Sequence, residues 1–308
     1  MPADAITLDR VTKRYGSVQA VIDLSLTVAA GEMFGLIGPD GAGKTTTIRM
    51  ICGLLAIDAG TIRVLGLDPR AEHRRLTDSV GYLSQRFSLY ADLSVDENVA
   101  FFAEIHGVRD FRATRDRLLE MTQLTPFRGR LAGQLSGGMK QKLALACTLV
   151  HGPRLIVLDE PTTGVDPVSR REFWKLLSEF LSQGITIVMS TPYLDEAERC
   201  ARVALLHEGR LLAQDTPAAL RATLPGALFE VIASDHRRLA QSLRAMPGVD
   251  SVQMFGERAH LRLQDGDQSD DHHLAERLRA AGVEPTSVRA VKPSLEDVFV
   301  ARLGELSS

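Results

Sequence analysis

The stretch "GLIGPDGAGKTTTIRM" constrains this chain more than any other. Gly38, Gly43, Lys44 and Thr45 match G-x-x-x-x-G-K-[ST]; a short apolar strand, Met33 to Ile37, precedes them, and a helix with apolar positions Ile48, Ile51, Leu54 and Leu55 is expected after them. Strand, glycine loop and helix in that order imply an open, mainly parallel α/β sheet covered by helices. Across Gly38, Asp40, Gly41, Ala42 and Gly43 the backbone N–H groups can turn inward on phosphates, and the helix start at Lys44, Thr45 and Thr46 adds positive potential. Lys44 is the expected partner of β- and γ-phosphates, and the Thr45 hydroxyl the expected ligand of Mg²⁺.

A second strand supplies carboxylates. In "PRLIVLDEPTTGVDP" the apolar run Leu155 to Leu158 ends in Asp159 and Glu160. Beside a phosphate loop, a strand-end aspartate holds Mg²⁺, and the following glutamate can polarise an attacking water. Between these parts, "LAGQLSGGMKQKLALACTLV" places Ser136, Gly137 and Gly138 at the start of a helix, a second anion site. One nucleotide does not need two such sites from one subunit, so each chain is expected to lend this edge to a nucleotide held by another.

Composition narrows the setting. The 308 residues allow a large domain and a smaller one, and a net charge of −3, from 36 basic and 39 acidic residues, gives no general electrostatic reason to bind nucleic acid or an anionic membrane. Cys52, Cys147 and Cys200 show no CxxC spacing and an odd total, which argues against a disulfide framework and for a reducing compartment. Neither a signal peptide nor a run of about 18 apolar residues is present, so the chain is not expected to span a membrane itself.

Phosphate loop, "LSGG" segment and Asp159–Glu160 strand, in that order, resemble the ATP-binding cassette family over residues 1 to about 217. The resemblance implies ATP and Mg²⁺ as cofactors and a P-loop NTPase cassette with a helical subdomain at about 86–150. It implies catalytic roles for Lys44, Gln85 and Glu160, and Mg²⁺ contacts from Thr45, Gln85 and Asp159. Tyr15 resembles the aromatic that stacks on adenine, with Val18 beside it, and Gly164–Val165–Asp166–Pro167 the loop that crosses the dimer interface. Met139 departs from the glutamine of many members, while Ser136 and Gly138, which would face the phosphate, are intact. In "RFSLYADLSVDENVAFFAEIHGV" a helix is expected after Ser94, with Phe101 and Phe102 packed inside the helical subdomain; Phe87, Leu89 and Tyr90 are candidates for receiving a membrane partner's helix.

From about Ala218 to the end, "ALFEVIA", "HRRLAQSLRAM", "VDSVQMFG", "RAHLRLQDG", "SDDHHLAERLRAAG" and "PTSVRAV" read as β-α-β-β-α-β, a small α+β ferredoxin-like domain over 218–308. His272 and His273 read as solvated surface, since no third metal ligand has suitable spacing. The ending "VKPSLEDVFVARLG" is similar to cassette subunits serving ABC-2 type exporters, drug-efflux systems among them. That implies ABC-2 type transmembrane permease subunits as partners, a second ATP-binding subunit, no nucleic acid, and a peripheral position on the cytoplasmic face of the cell membrane. The alternative is a soluble regulatory, ribosome- or DNA-associated ATPase of the family.

One position departs from the pattern. The strand Ile185–Ser190 leads into "STPYLDEAE", where the family has a histidine that contacts the γ-phosphate; here it is Pro192, and no histidine lies between His151 and His207. A lost hydrogen bond to a charged phosphate costs about 1.5–3 kcal/mol, roughly ten- to a hundredfold in rate if it acts in the transition state. Binding is expected to survive better than turnover, and a heterodimer, whose partner completes one good site, is preferred over a homodimer.

Overall fold

Asp4–Tyr15 (β1) and Val18–Ala29 (β2) form an antiparallel hairpin, and Ala59–Val64 joins the other edge of β1, giving a three-stranded sheet. The computed structural model describes residues 4–85, 89–233, 235–264 and 269–307, and the chain divides into two units, Met1–Thr216 and Pro217–Ser308.

In the first unit Met33–Ile37 (β3) is buried at every residue, as a strand covered on both faces must be. It is followed by Lys44–Ile51 (α1) and, after the edge strand already described (β4), by His73–Thr77 (α2) and Val80–Leu83 (β5). Leu155–Asp159 (β6), Thr186–Thr191 (β7), Arg202–His207 (β8) and Arg210–Asp215 (β9) complete a six-stranded sheet of order β5-β6-β7-β3-β8-β9, parallel except for the last pair. Side chains of both sheets and of α1 share one core, including Ile6, Leu24, Phe34, Ile48, Ile51 and Val157.

Helix α1 stops earlier than its apolar pattern suggests. Gly53, at φ +69°, turns the chain left-handed while Gly53 N–H and Leu54 N–H close on the carbonyls of Met50 and Arg49. A Cβ at Gly53 would lie 2.4 Å from the Pro69 carbonyl oxygen, so glycine is needed there. Leu54 therefore lies outside the helix and is 56% exposed, and only Leu55 packs on the core.

Val95–Ile105 (α3), Arg112–Met121 (α4) and Gly137–Leu149 (α5) make a helical layer between β5 and β6 in the chain. Ser94 and Glu97 form a reciprocal capping box at the start of α3. Its inward face carries Val95, Val99 and Ala103, at four-residue spacing, which leaves Phe101 and Phe102 half-buried and Ile105 61% exposed. The two phenylalanines thus do not fill the interior: Phe101 packs edge-to-face on Tyr90 at 4.5 Å and on Phe102 at 5.6 Å. Phe87 lies outside the described residues. Pro167–Ser182 (α6) and Leu194–Ala197 (α7) flank β7 in the chain.

The second unit opens with Pro217–Ala222 (α8) and holds Leu228–Ala233 (β10), His236–Ala245 (α9), Val249–Phe255 (β11), Arg258–Leu263 (β12), Asp271–Ala280 (α10), Pro285–Ala290 (β13) and Leu295–Ser307 (α11). The strands run β11-β12-β10-β13, all antiparallel, which is the ferredoxin-like arrangement. Residues 265 and 266, read as the end of a strand, lie outside the described residues; β12 stops at Leu263. One sheet face packs Phe229, Val231 and Leu261 against Leu239, Leu243, Leu274 and Leu278. The other is polar: Glu230 sits opposite His260 and Arg289 in register, and Asp297 of α11 lies 2.7 Å from His260 Nδ1. His272 is exposed. Among the described residues no helix is long and apolar enough to cross a membrane.

Candidate active site

Strands β6, β7 and β3 are neighbours, and their register sets Asp159 opposite Ser190 and Ile37 opposite Thr191. The phosphate-loop residues after Ile37, the carboxylates after Leu158 and the hydroxyls at the end of β7 therefore emerge together beyond the carboxyl ends of the sheet. An open cleft of about 670 Å³ lies there, lined by residues 40–46 together with Val18, Gln85, Glu160 and Glu208.

The loop is shaped by glycine. Gly41 and Gly43 sit at φ +81° and +95°, and a Cβ at Gly43 would come within 2.5 Å of the Ala20 carbonyl oxygen. A Cβ at Gly38 would lie 2.2 Å from the carbonyl oxygen of Leu206. No side chain caps α1, so its first N–H groups face the cleft as an anion site.

Side chains from three segments meet here. Lys44 is buried and donates from Nζ to the carbonyls of Gly38 (2.8 Å) and Pro39 (3.0 Å), with Glu160 Oε1 at 3.4 Å. Thr45 Oγ1 donates to Asp159 Oδ1 at 3.0 Å, and Gln85 Nε2 donates to Glu160 Oε2 at 3.0 Å. Glu160 holds φ +49°, a strained backbone for a non-glycine residue and one that aims its carboxylate into the cleft. Thr45 and Asp159 offer only oxygen donors, which fits a hard divalent cation completed by phosphate oxygens. Burial first, and then the charge of Asp159, push the thiol of Cys52 and the phenol of Tyr82 upward, so both stay neutral beside the site.

Ser190 was not singled out by sequence reasoning, yet its hydroxyl donates to Asp159 Oδ1 at 2.6 Å and accepts the Glu160 N–H at 3.0 Å. Its signal is positional: it ends a strand adjacent to the one that ends in Asp159. Ser190→Ala is expected to cost about 1–3 kcal/mol, because buried polar partners lose a bond; denaturant unfolding of the full-length chain measures it.

The other candidate residues stand apart. Tyr15 is 47% exposed at the end of β1, with Lys13 Nζ 5.9 Å from its ring, and Val18 is 62% exposed at the cleft edge. Ser136 caps α5 by accepting the Met139 N–H at 3.3 Å, and neither it nor Gly137 or Gly138 lines the cleft of its own chain. The Cα hydrogens of Gly138 face inward: a Cβ there would meet Ser169 Oγ at 2.2 Å, so the residue is small in order to pack α5 on α6, and Gly137 is the open one. Asp166 caps α6, and hydrogen bonds from Ser169 and Val168 hold its carboxyl below the usual range. Pro192 follows β7, and the next N–H, of Tyr193, closes on Thr191 Oγ1 at 3.0 Å.

Residues 21–163 match the family model described as "ABC transporter", and residues 216–302 match "ATP-binding protein DrrA1-3-like, C-terminal domain". The chain is 44% identical over 306 residues to the probable multidrug ABC transporter ATP-binding protein YbhF of Escherichia coli (strain K12), covering 97% of this chain and 52% of that protein. It thus spans about half the length of that relative. It is 38% identical to the Nod factor export ATP-binding protein I of Rhizobium sp. (strain N33), with 97% of each chain covered. A solved dimeric ATP-binding cassette, in a post-hydrolysis state bound to ADP and Pi, superposes with a TM-score of 0.60 at 26% identity over 68% of this chain and 98% of that one. The chain belongs to the ABC transporter family, among its ATP-binding proteins.

Proposed function

We propose that the chain is the ATP-binding subunit of an exporter, binding ATP with Mg²⁺ and hydrolysing it to drive transport by separate membrane subunits of the ABC-2 type. The observation that carries this reading is the cleft network, in which Lys44 and Gln85 contact Glu160 at 3.4 and 3.0 Å, Thr45 contacts Asp159 at 3.0 Å, and Ser190 bridges Asp159 and the Glu160 N–H. Thr45 and Asp159 would hold Mg²⁺, with Gln85, hydrogen-bonded to the neighbouring Glu160, as a further contact, and the ion would supply charge neutralisation to the phosphates. Lys44 and the N–H groups of residues 41–46 would bind phosphate oxygens, and Glu160 would take the proton of the attacking water. Val18 and Tyr15 would border the base. Residues 1–217 would be the nucleotide-binding domain with its helical part at about 86–150, and 218–308 an accessory domain.

The matched relatives with export in their names, and the dimeric cassette, support pairing with membrane subunits and with a second nucleotide-binding chain on the cytoplasmic face of the membrane. In that pairing Ser136, Gly137 and Gly138, which lie outside the cleft of their own chain, serve the partner's nucleotide. Leu89 and Tyr90, the latter exposed beside Phe101, are where a membrane partner's helix would dock. Because Pro192 offers no group to the γ-phosphate, this chain's own site turns over slowly, and a heterodimer is the preferred assembly. Hydrolysis by the full-length chain with a second nucleotide-binding subunit is expected to exceed that of the chain alone; equal rates would oppose the heterodimer. Pro192→His is expected to raise steady-state hydrolysis by roughly tenfold, and no rise in any assembly would remove the proposed defect.

A further inference from the structure

Seven residues after Glu160 left-handedly redirects the chain, Pro167 starts α6, and the intervening loop carries a buried hydroxyl, Thr162. That hydroxyl donates to Glu196 Oε1 at 2.6 Å, and the buried hydroxyl of Thr191, at the end of β7, donates to Glu196 Oε2 at 2.7 Å. Arg170, one turn into α6, brings Nε to 3.7 Å from Oε1 and lays its guanidinium 5.1 Å from the centre of the Tyr193 ring. Glu196 itself is 1% exposed. One carboxylate therefore joins three segments: the loop leaving Glu160, the strand end before Pro192, and the helix that the loop enters.

A buried carboxylate is a poor device for stability alone, because desolvation offsets much of its attraction for a cation, and well-packed apolar groups commonly do as well. What a carboxylate with two divided oxygens does supply is geometry, since each hydroxyl is fixed in direction as well as distance. The loop it fixes is the one that sets where Glu160 points. The strand end it fixes lacks a side chain at position 192 able to hydrogen-bond, and its first available N–H, on Tyr193, is spent on Thr191 Oγ1.

We infer that Glu196 is a positioning residue for hydrolysis: through Thr162 and Thr191 it holds the loop after Glu160 against the end of β7, so that the base keeps its aim without help from residue 192. This rests on the reading of the cleft as an ATPase site. Glu196 touches neither nucleotide nor the attacking water; it acts through the backbone that carries Glu160.

The test uses the full-length chain, with kcat and KM for MgATP measured alongside thermal unfolding. Thr162→Val removes the hydroxyl at nearly constant volume and is expected to lower kcat about tenfold while KM changes less than about threefold. Thr162→Ser keeps the hydroxyl and is expected to retain kcat within about twofold. Glu196→Gln, which can accept from only one of the two hydroxyls with its single oxygen, is expected to follow Thr162→Val. If Glu196→Gln does not fold, the valine and serine variants at 162 decide the matter between them. Equal kcat for wild type and Thr162→Val, or a loss shared equally by Thr162→Ser, would overturn the inference while leaving the ATPase reading intact. Absence of hydrolysis by the unmodified chain would overturn both.

Discussion

Glu160→Gln is expected to lower hydrolysis by the full-length chain at least about a hundredfold while leaving nucleotide binding intact. A positioned general base contributes on the order of 10²–10⁴ in rate, and glutamine cannot accept the proton. In shape the substitution is mild, although it removes the negative charge that Lys44 Nζ meets at 3.4 Å. Glutamine keeps the volume and an oxygen that can still accept from Gln85 and Thr163, the two donors that reach Glu160 Oε2 at 3.0 and 3.4 Å. Removing the negative charge also removes its repulsion of the incoming phosphates, so affinity for MgATP is expected to hold or rise. The two outcomes are read separately, hydrolysis from phosphate release and binding from the MgATP-induced shift in unfolding temperature. Hydrolysis within about threefold of wild type would remove Glu160 from its assigned role.

Lys44→Ala is expected to act on the other half of the cycle. Its ammonium is the one cation that contacts Glu160 among the described ion pairs, and it bonds the carbonyls of Gly38 and Pro39 that shape the loop. Truncating one partner of a buried, hydrogen-bonded charge pair costs about 2–5 kcal/mol, so nucleotide affinity is expected to fall by roughly thirtyfold or more. At a ligand concentration of about one hundred times the wild-type Kd, binding stabilises wild type by about 2.7 kcal/mol, and the variant should gain about 1 kcal/mol or less. The unliganded variant should also lose about 1–3 kcal/mol, because Glu160 keeps its hydrogen bonds but loses its counter-charge. Comparing unfolding with and without MgATP separates the two effects. A variant that keeps the full ligand-induced shift would contradict the role given to Lys44.

The parts of this molecule that were legible in its sequence are those written at short range. The phosphate loop declares itself because strand, glycines, Lys44 and the helix start are contiguous, and Asp159–Glu160 because an apolar run ends in two acids. The second unit was legible as β-α-β-β-α-β because its alternation and turns are local. What was missed depends on contacts between distant segments. Ser190 meets Asp159 only through the register of β7 on β6, and Glu196 meets Thr162 only because α7 folds back under the loop, across 34 positions of sequence. Leu54 fails for the opposite reason: Gly53 was a local signal, and its left-handed turn outweighs the apolar periodicity that runs past it.

The central claim is that this chain powers a membrane exporter. It is tested most directly by affinity purification of the tagged full-length chain from detergent-solubilised membranes, with MgATP hydrolysis measured on the eluted assembly. The account predicts multi-span membrane subunits in the eluate, together with hydrolysis of ATP. An eluate that instead carries ribosomal components and no membrane subunit, or a membrane assembly that hydrolyses no ATP, would contradict it.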